Sequence, residues 1–407
     1  MIRILTAACA ILLSVGQSAA AEPVIKIGIL TDMTGIFADP TGPGSLVAAQ
    51  LAVEDYAASP HKYSVSILSA DHQNRADLGS QIARRWFDVD GVGAIFDLPN
   101  SAVALAVNEI GRTMNKAVIV SSGGSAALTG SACSSTTVHW TYDNWALANA
   151  AVSAVVKSGG DGWFFIVADY AFGNDLYSLA SGLVVKNGGR VVGKASHPIG
   201  ATDYASPLLQ AQSSGAKIVA LANAGQDMAT SVKQGQEFGL AASGQRVLSM
   251  ITTINDIHGL GLASAKDTLV VTPFYWDLND ETRAWSKRFA DRMKGQYPSM
   301  MQAGVYSSVL HYLKALEASN NSNGDAVVSK MKEIPTDDPL FGIGKVRSDG
   351  RKIHPMYLYA VKKPSETKYP WDYQRLLQTI SAEDAFRPPS PECPLNGSGG
   401  PSGSGAR

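Results

Sequence analysis

The stretch Val24-Ile25-Lys26-Ile27-Gly28-Ile29-Leu30 follows directly on Ala19-Ala20-Ala21, which close an apolar run from Ile4 to Val15 behind a short basic start. That order reads as a secretory signal followed at once by the first strand of an exported α/β protein. The apolar run is too short and too early for a stable membrane span. Cleavage is expected near Ala21, so the signal covers residues 1–21 and the mature chain starts near Glu22, outside the cytoplasm. An uncleaved signal anchor is the alternative, and the Ala-x-Ala spacing speaks against it. Cys9 lies inside the apolar run rather than after it, which disfavours a lipid-anchored form.

The 407 residues suit two domains of ordinary size. Charge is nearly balanced, with 34 basic and 35 acidic side chains and no long basic run, so a nucleic-acid partner is not expected. Removal of the signal leaves Cys133 and Cys393. In an oxidising compartment two such thiols are expected to pair, and a disulfide would tie the C-terminal region to the first half of the chain. The alternative is one buried and one exposed thiol, because sequence does not supply Cα separations. From Pro394 onward the Gly- and Ser-rich tail, 394–407, has little to bury and is expected to be disordered.

Apolar β-branched runs alternate with segments of helical period almost from end to end, the pattern of parallel strands with crossover helices. Strands are expected at Val24–Leu30, Tyr63–Ser69, Val92–Asp97, Ala117–Ser121, Trp163–Ala168, Arg190–His197, Ile218–Ala222, Val247–Met250 and Leu269–Thr272. Sheets covered on both faces explain why these runs are continuously apolar. After Thr272 come three helical stretches and then short strands around Leu340–Arg347 and Met356–Val361, which implies repeated crossing between domains.

Catalytic motifs are missing from the sequence. It holds no Gly-x-x-x-x-Gly-Lys loop, no His-Glu-x-x-His, no Cys-x-x-Cys and no Gly-x-Ser-x-Gly elbow, and its seven histidines are scattered. Asp71-His72 is the nearest approach to a catalytic pair and reads better as a solvated strand end. Gly42-Pro43-Gly44 imitates only part of a dinucleotide loop. An enzyme is therefore the minority reading, and neither a cofactor nor a metal is implied.

Four stretches together carry a resemblance, one of them the helix Ala48–Asp55 that follows the first strand and its loop. Ile25–Gly35 is similar to an opening strand with a Ser/Thr-Gly loop, Asp169-Tyr170-Ala171-Phe172-Gly173-Asn174-Asp175 to an aromatic-Gly turn, and Gln236-Glu237-Phe238-Gly239-Leu240 to a recurrent helix end. In this order and spacing the chain resembles the periplasmic solute-binding proteins of the branched-chain amino acid type, the receptors of ABC importers. The resemblance implies an α/β fold of two Rossmann-like lobes with parallel sheets flanked by helices, joined by three hinge crossovers near His139–Asp143, Thr272–Trp276 and Arg347–His354. It places lobe 1 at 22–140 plus 273–348 and lobe 2 at 141–272 plus 349–390. Also implied are a periplasmic location, a monomer, and an inner-membrane ABC permease that receives a small-molecule carboxylate from the closed cleft. A ligand-sensing partner of a signalling receptor is the rival role.

By the same resemblance the ligand carboxylate would meet two joints of the first lobe. At one, Asn100 stands where a hydroxyl is usual, with Ser101 and a helix N-terminus behind it. At the other, Gly123 would offer its backbone and Ser125 its hydroxyl; ordinary helix capping is the competing account of such residues. From the second lobe, Tyr170, Phe172 and Asn223 would cover the ligand, with core packing as the rival reading of Phe172. The joint Met250–Asp256 lacks a clearly placed acid to meet an ammonium group, although Asp256 is near. That gap favours an organic acid without an amino group, and an amino acid becomes the better fit if Asp256 enters the cleft. Aromatic residues near the crossings, among them Trp140, Tyr142, Tyr275 and Trp276, fit a pocket wall or interlobe packing equally. Asp32 is read either as orienting a loop amide or as a strand end.

Overall fold

The computed structural model describes residues 22–396 apart from 267 and 320. Its first body is built on a parallel sheet of β1 (Val24–Thr31), β2 (Ser64–Asp71), β3 (Val92–Asp97), β4 (Ala117–Val120) and β5 (Thr137–His139), ordered β2-β1-β3-β4-β5. The second holds β6 (Gly162–Ala168), β7 (Arg190–His197), β8 (Ile218–Ala222) and β9 (Arg246–Ser249), again parallel, ordered β7-β6-β8-β9. β6 and β8 are buried along their whole length, as their unbroken apolar runs require. β7, at the sheet edge, alternates in exposure over much of its length, which is why it tolerates Arg190 and Lys194.

The parallel pattern does not extend past β9. β10 (Leu269–Thr272) pairs antiparallel with β13 (Met356–Val361), which pairs antiparallel with β14 (Gln374–Ile380); β11 (Lys345–Val346) and β12 (Lys352–Ile353) form a small ribbon. Sequence periodicity missed β5, the two-residue β12 and β14; of these β5 and β14 matter most for the sheets. β5 is only three residues long, and β14 is a largely exposed edge strand without an apolar stripe.

The chain passes between the bodies three times. After β5 the helix Asn144–Lys157 packs on the helix Ala171–Lys186 of the second body. After β10 the helices Asp280–Arg292 and Met300–Ser319 lie on the helix Gly42–Ala57 of the first. After β12 the chain returns to β13 beside β10. Arg351 is fully buried at this junction, donating to the carbonyls of Tyr142 (2.9 Å) and Trp140 (3.1 Å) with Asp143 at 3.9 Å. Beside it Lys352 Nζ donates to Ser307 Oγ (3.2 Å) and lies 3.7 Å from Asp338, while desolvation pushes its amine down to about 8. Charges taken out of water are held only with such partners, so the crossing strands are pinned to one another.

Cys133 and Cys393 form a disulfide, with Cα atoms 5.5 Å apart. Pro394–Asn396 make a short 3₁₀ turn; the remainder of the tail expected to be disordered, and the signal segment, lie outside the described residues. His72 is a correction: rather than solvated, it is fully buried, accepts the Asn74 N–H on Nδ1, and is pushed down to about 4 by desolvation.

Candidate functional site

Ligands of parallel α/β sheets meet the loops at the carboxyl ends of the strands. A narrow seam between the two bodies lies there. Phe37, Pro99, Tyr142 and Met301 wall it on one side, and Tyr170, Phe172, Gly225 and Asp256 on the other.

Each wall has a local cause. Asp32 accepts the N–H groups of Gly35 (2.7 Å) and Phe37 (3.0 Å), folding the loop after β1 so that Phe37 faces the seam. At the end of β3, Asp97 and Leu98 both take positive φ, 83° and 62°, a conformation costly for residues with side chains. The bend is held from below, since the Asp97 carbonyl accepts from Ser121 N (3.1 Å) and Ser122 N (3.2 Å), and its carboxylate takes the Ser122 hydroxyl. Its result is to set Pro99 in the seam and Asn100 at the head of the helix Ser101–Met114. Complete burial of Asp97 raises its carboxyl above the usual range.

Of the residues expected from sequence, Tyr170, Phe172 and Asp256 line the seam. Asn100 is the N-cap, its Oδ1 accepting from Ala102 N (2.9 Å) and Val103 N (3.3 Å). Ser101 Oγ accepts the Gly124 N–H at 3.2 Å, joining the loop after β3 to the loop after β4. Gly123 gives its carbonyl to His139 Nε2 (2.7 Å), and Ser125 caps the 3₁₀ turn Ala126–Thr129. Among the described residues, the N–H groups of Ser101 and Ser125 make no hydrogen bond. Asn223 turns into the second body, bonding His197 Nε2 (3.1 Å) and Ser231 Oγ (2.9 Å), while its neighbours Ala224 and Gly225 take the wall.

Asp256 is the third residue of the helix Ile254–Leu260 and closes a capping box with Thr253. Its Oδ2 accepts both the N–H and the hydroxyl of Thr253 at 2.7 Å; Oδ1 makes no hydrogen bond among the described residues. Desolvation, the largest influence, pushes its carboxyl up to about 6, with the charge of Asp39 acting in the same direction.

The two walls interlock. A Cβ on Gly124 of the first body would lie 2.6 Å from Asn144 Oδ1 and 2.9 Å from the Phe172 ring of the second. Gly225, at φ 58°, sits so close to the Ile36 carbonyl that an added Cβ would be 2.4 Å from it. Tyr142 is the crossing-region aromatic that reaches the seam, whereas Trp140 is buried with its indole N–H on Ser307, and Tyr275 and Trp276 pack around Trp371. Phe37 and Met301 escaped sequence reading because no local signal marks them; the Asp32 amide contacts were the available hint.

A family model described as periplasmic binding protein matches residues 24–367. The chain belongs to this family. Among solved structures, the periplasmic binding protein is similar to one from Burkholderia mallei, at 41% identity, covering 93% of this chain and 100% of that one with a TM-score of 0.89. It is likewise similar to a branched chain amino acid ABC transporter periplasmic ligand-binding protein from Burkholderia xenovorans LB400, at 36% identity over 89% and 97% of the two chains, TM-score 0.79. A solute binding protein of an ABC transporter from R. palustris in complex with benzoate shares the fold at 17% identity, over 88% and 96%, TM-score 0.78. No curated protein matches.

Proposed function

We propose that this periplasmic binding protein takes up a small carboxylate between its two bodies and delivers it to an ABC permease. The observation that carries this reading is the pairing, across one seam, of two joined helix-start loops with an aromatic and acidic wall. The Ser101 and Ser125 N–H groups, beside the N-terminus of the helix Ser101–Met114, offer donors to an anion. Tyr170, Phe172 and Phe37 offer an apolar enclosure that excludes water from it.

The preference for an acid without an amino group rested on the lack of a carboxylate in the cleft. Asp256 lies in the seam wall with Oδ1 unengaged, so that motive lapses and an apolar amino acid is the better fit. Similarity to the Burkholderia xenovorans protein supports the same reading. The chain is further proposed to act as a monomer in the periplasm, with transport rather than receptor signalling as its role.

A thermal-shift screen of the mature chain against apolar amino acids, their 2-oxo and hydroxy analogues, and aromatic carboxylates tests the proposal, because a ligand that binds the folded state raises apparent stability by mass action. Stabilisation by amino acids is the expected result. No stabilisation by any of these carboxylates overturns it.

A further inference from the structure

We propose that residues 381–393 form a fourth connection between the two bodies, closed by the Cys133–Cys393 disulfide, and that this strap restrains their opening. It rests on the hinged reading of the seam given above. The segment leaves β14 through the helix Ala382–Ala385, which packs on the helix Asn144–Lys157; Asn149 Nδ2 donates to the Asp384 carbonyl at 3.0 Å. That anchor belongs to the second body.

Two and three residues later the anchors belong to the crossing and to the first body. Phe386 is buried under the Arg351 guanidinium, 4.2 Å from ring centroid to Cζ, at the pinned crossing. Arg387 Nη2 donates to the Ala126 carbonyl at 2.5 Å, and its own carbonyl accepts from Arg347 Nη1 at 2.7 Å. The bond to Cys133 then fixes the segment between the 3₁₀ turn Ala126–Thr129 and β5, where Ala132 is itself held to the helix Ser101–Met114 by Asn108 (3.0 Å).

Separation of the bodies must therefore pull Asp384 and Arg387 apart or release one of their hydrogen bonds. Polar contacts of this kind can open singly. With the disulfide in place a released Arg387 stays beside its seat and re-forms its contacts at high effective concentration. The turn it grips also touches the second body, since the Ala126 N–H is held by Asp175 at 2.9 Å. The strap and the second body thus hold opposite ends of one residue's backbone.

The test is a pulsed dipolar distance measurement on the ligand-free mature protein. Spin labels attached through encoded non-cysteine residues replace Thr34 on the first body and Thr202 on the second, both exposed. Wild type is compared with Cys133→Ser/Cys393→Ser and with Arg387→Ala, which keeps the disulfide should the double variant fold poorly. The expected result is a shift to longer or broader distances in both variants, larger in the double one. Superimposable distributions that are already broad in wild type would leave the hinge standing and remove the strap's role. One narrow distance common to all three would overturn both the strap and the hinge reading.

Discussion

Asp175, on the helix Ala171–Lys186 of the second body, accepts the Ala126 N–H of the first at 2.9 Å, with Asn144 Nδ2 on the same oxygen at 2.8 Å. Burial raises its carboxyl above the usual range, and these two donors hold it partly down again. The contact therefore joins the bodies at the loop that carries Ser125.

Asp175→Ala is expected to weaken ligand binding about tenfold or more, since hydrogen bonds to charged groups are worth about 1.5–3 kcal/mol and about 1.4 kcal/mol is tenfold. Titration calorimetry beside thermal unfolding checks it. A changed melting temperature with an unchanged Kd would make Asp175 a packing residue only.

Gly124→Ala places a methyl group against Asn144 and Phe172 across the seam. The variant is expected to fold and to lose most of its ligand-induced thermal shift, because the bodies can no longer meet. Small-angle scattering of the variant should resemble ligand-free wild type whether or not ligand is added; compaction on ligand addition would refute this.

Asn100→Ala removes an N-cap and should cost about 1 kcal/mol of stability. Ser101→Ala with Ser125→Ala instead frees the Gly124 N–H and uncaps the 3₁₀ turn, loosening the loops after β3 and β4. The double variant keeps both backbone N–H donors and is expected to lose affinity by about 1 kcal/mol or more through their displacement while remaining folded, at about 0.5–1.5 kcal/mol for each neutral hydrogen bond lost. Retained affinity would move the carboxylate elsewhere in the seam.

Asp256 gives a pH dependence with a defined sign. Its carboxyl is raised from 3.8 to about 6, so the folded chain binds the proton more tightly than the unfolded one. The stability this contributes is fully present below pH 3.8 and is lost as pH rises through about 6. Asp256→Asn should flatten unfolding free energy against pH across that interval; an unchanged slope would assign the titration to another group.

The sheets were legible because strands such as β6 and β8 are apolar from end to end, a signal that survives without tertiary information. β14 was not, since an exposed edge strand reading Gln-Arg-Leu-Leu-Gln-Thr-Ile has no face to pattern. Within the site, Phe172 could be found from the aromatic-Gly turn that precedes its helix. Met301 could not, because it reaches the seam from a helix distant in sequence whose buried residues look alike. Asn223 shows a different limit: sequence located the joint after β8, but which of its residues faces out depends on the bonds to His197 and Ser231. Cys133 and Cys393, the two cysteines outside the apolar N-terminal run, made a disulfide the expectation and left one buried and one exposed thiol as the alternative, whereas the path of the chain around the bond needed Arg387 and Phe386 to be seen in place.

The most direct measurement is calorimetric titration of wild type and Asp256→Asn with an apolar amino acid and with the same acid lacking its amino group. The account predicts that wild type binds the amino acid more tightly than its analogue and that Asp256→Asn abolishes the difference. Binding of neither carboxylate, or a preference for the amino acid that survives the substitution, would contradict it.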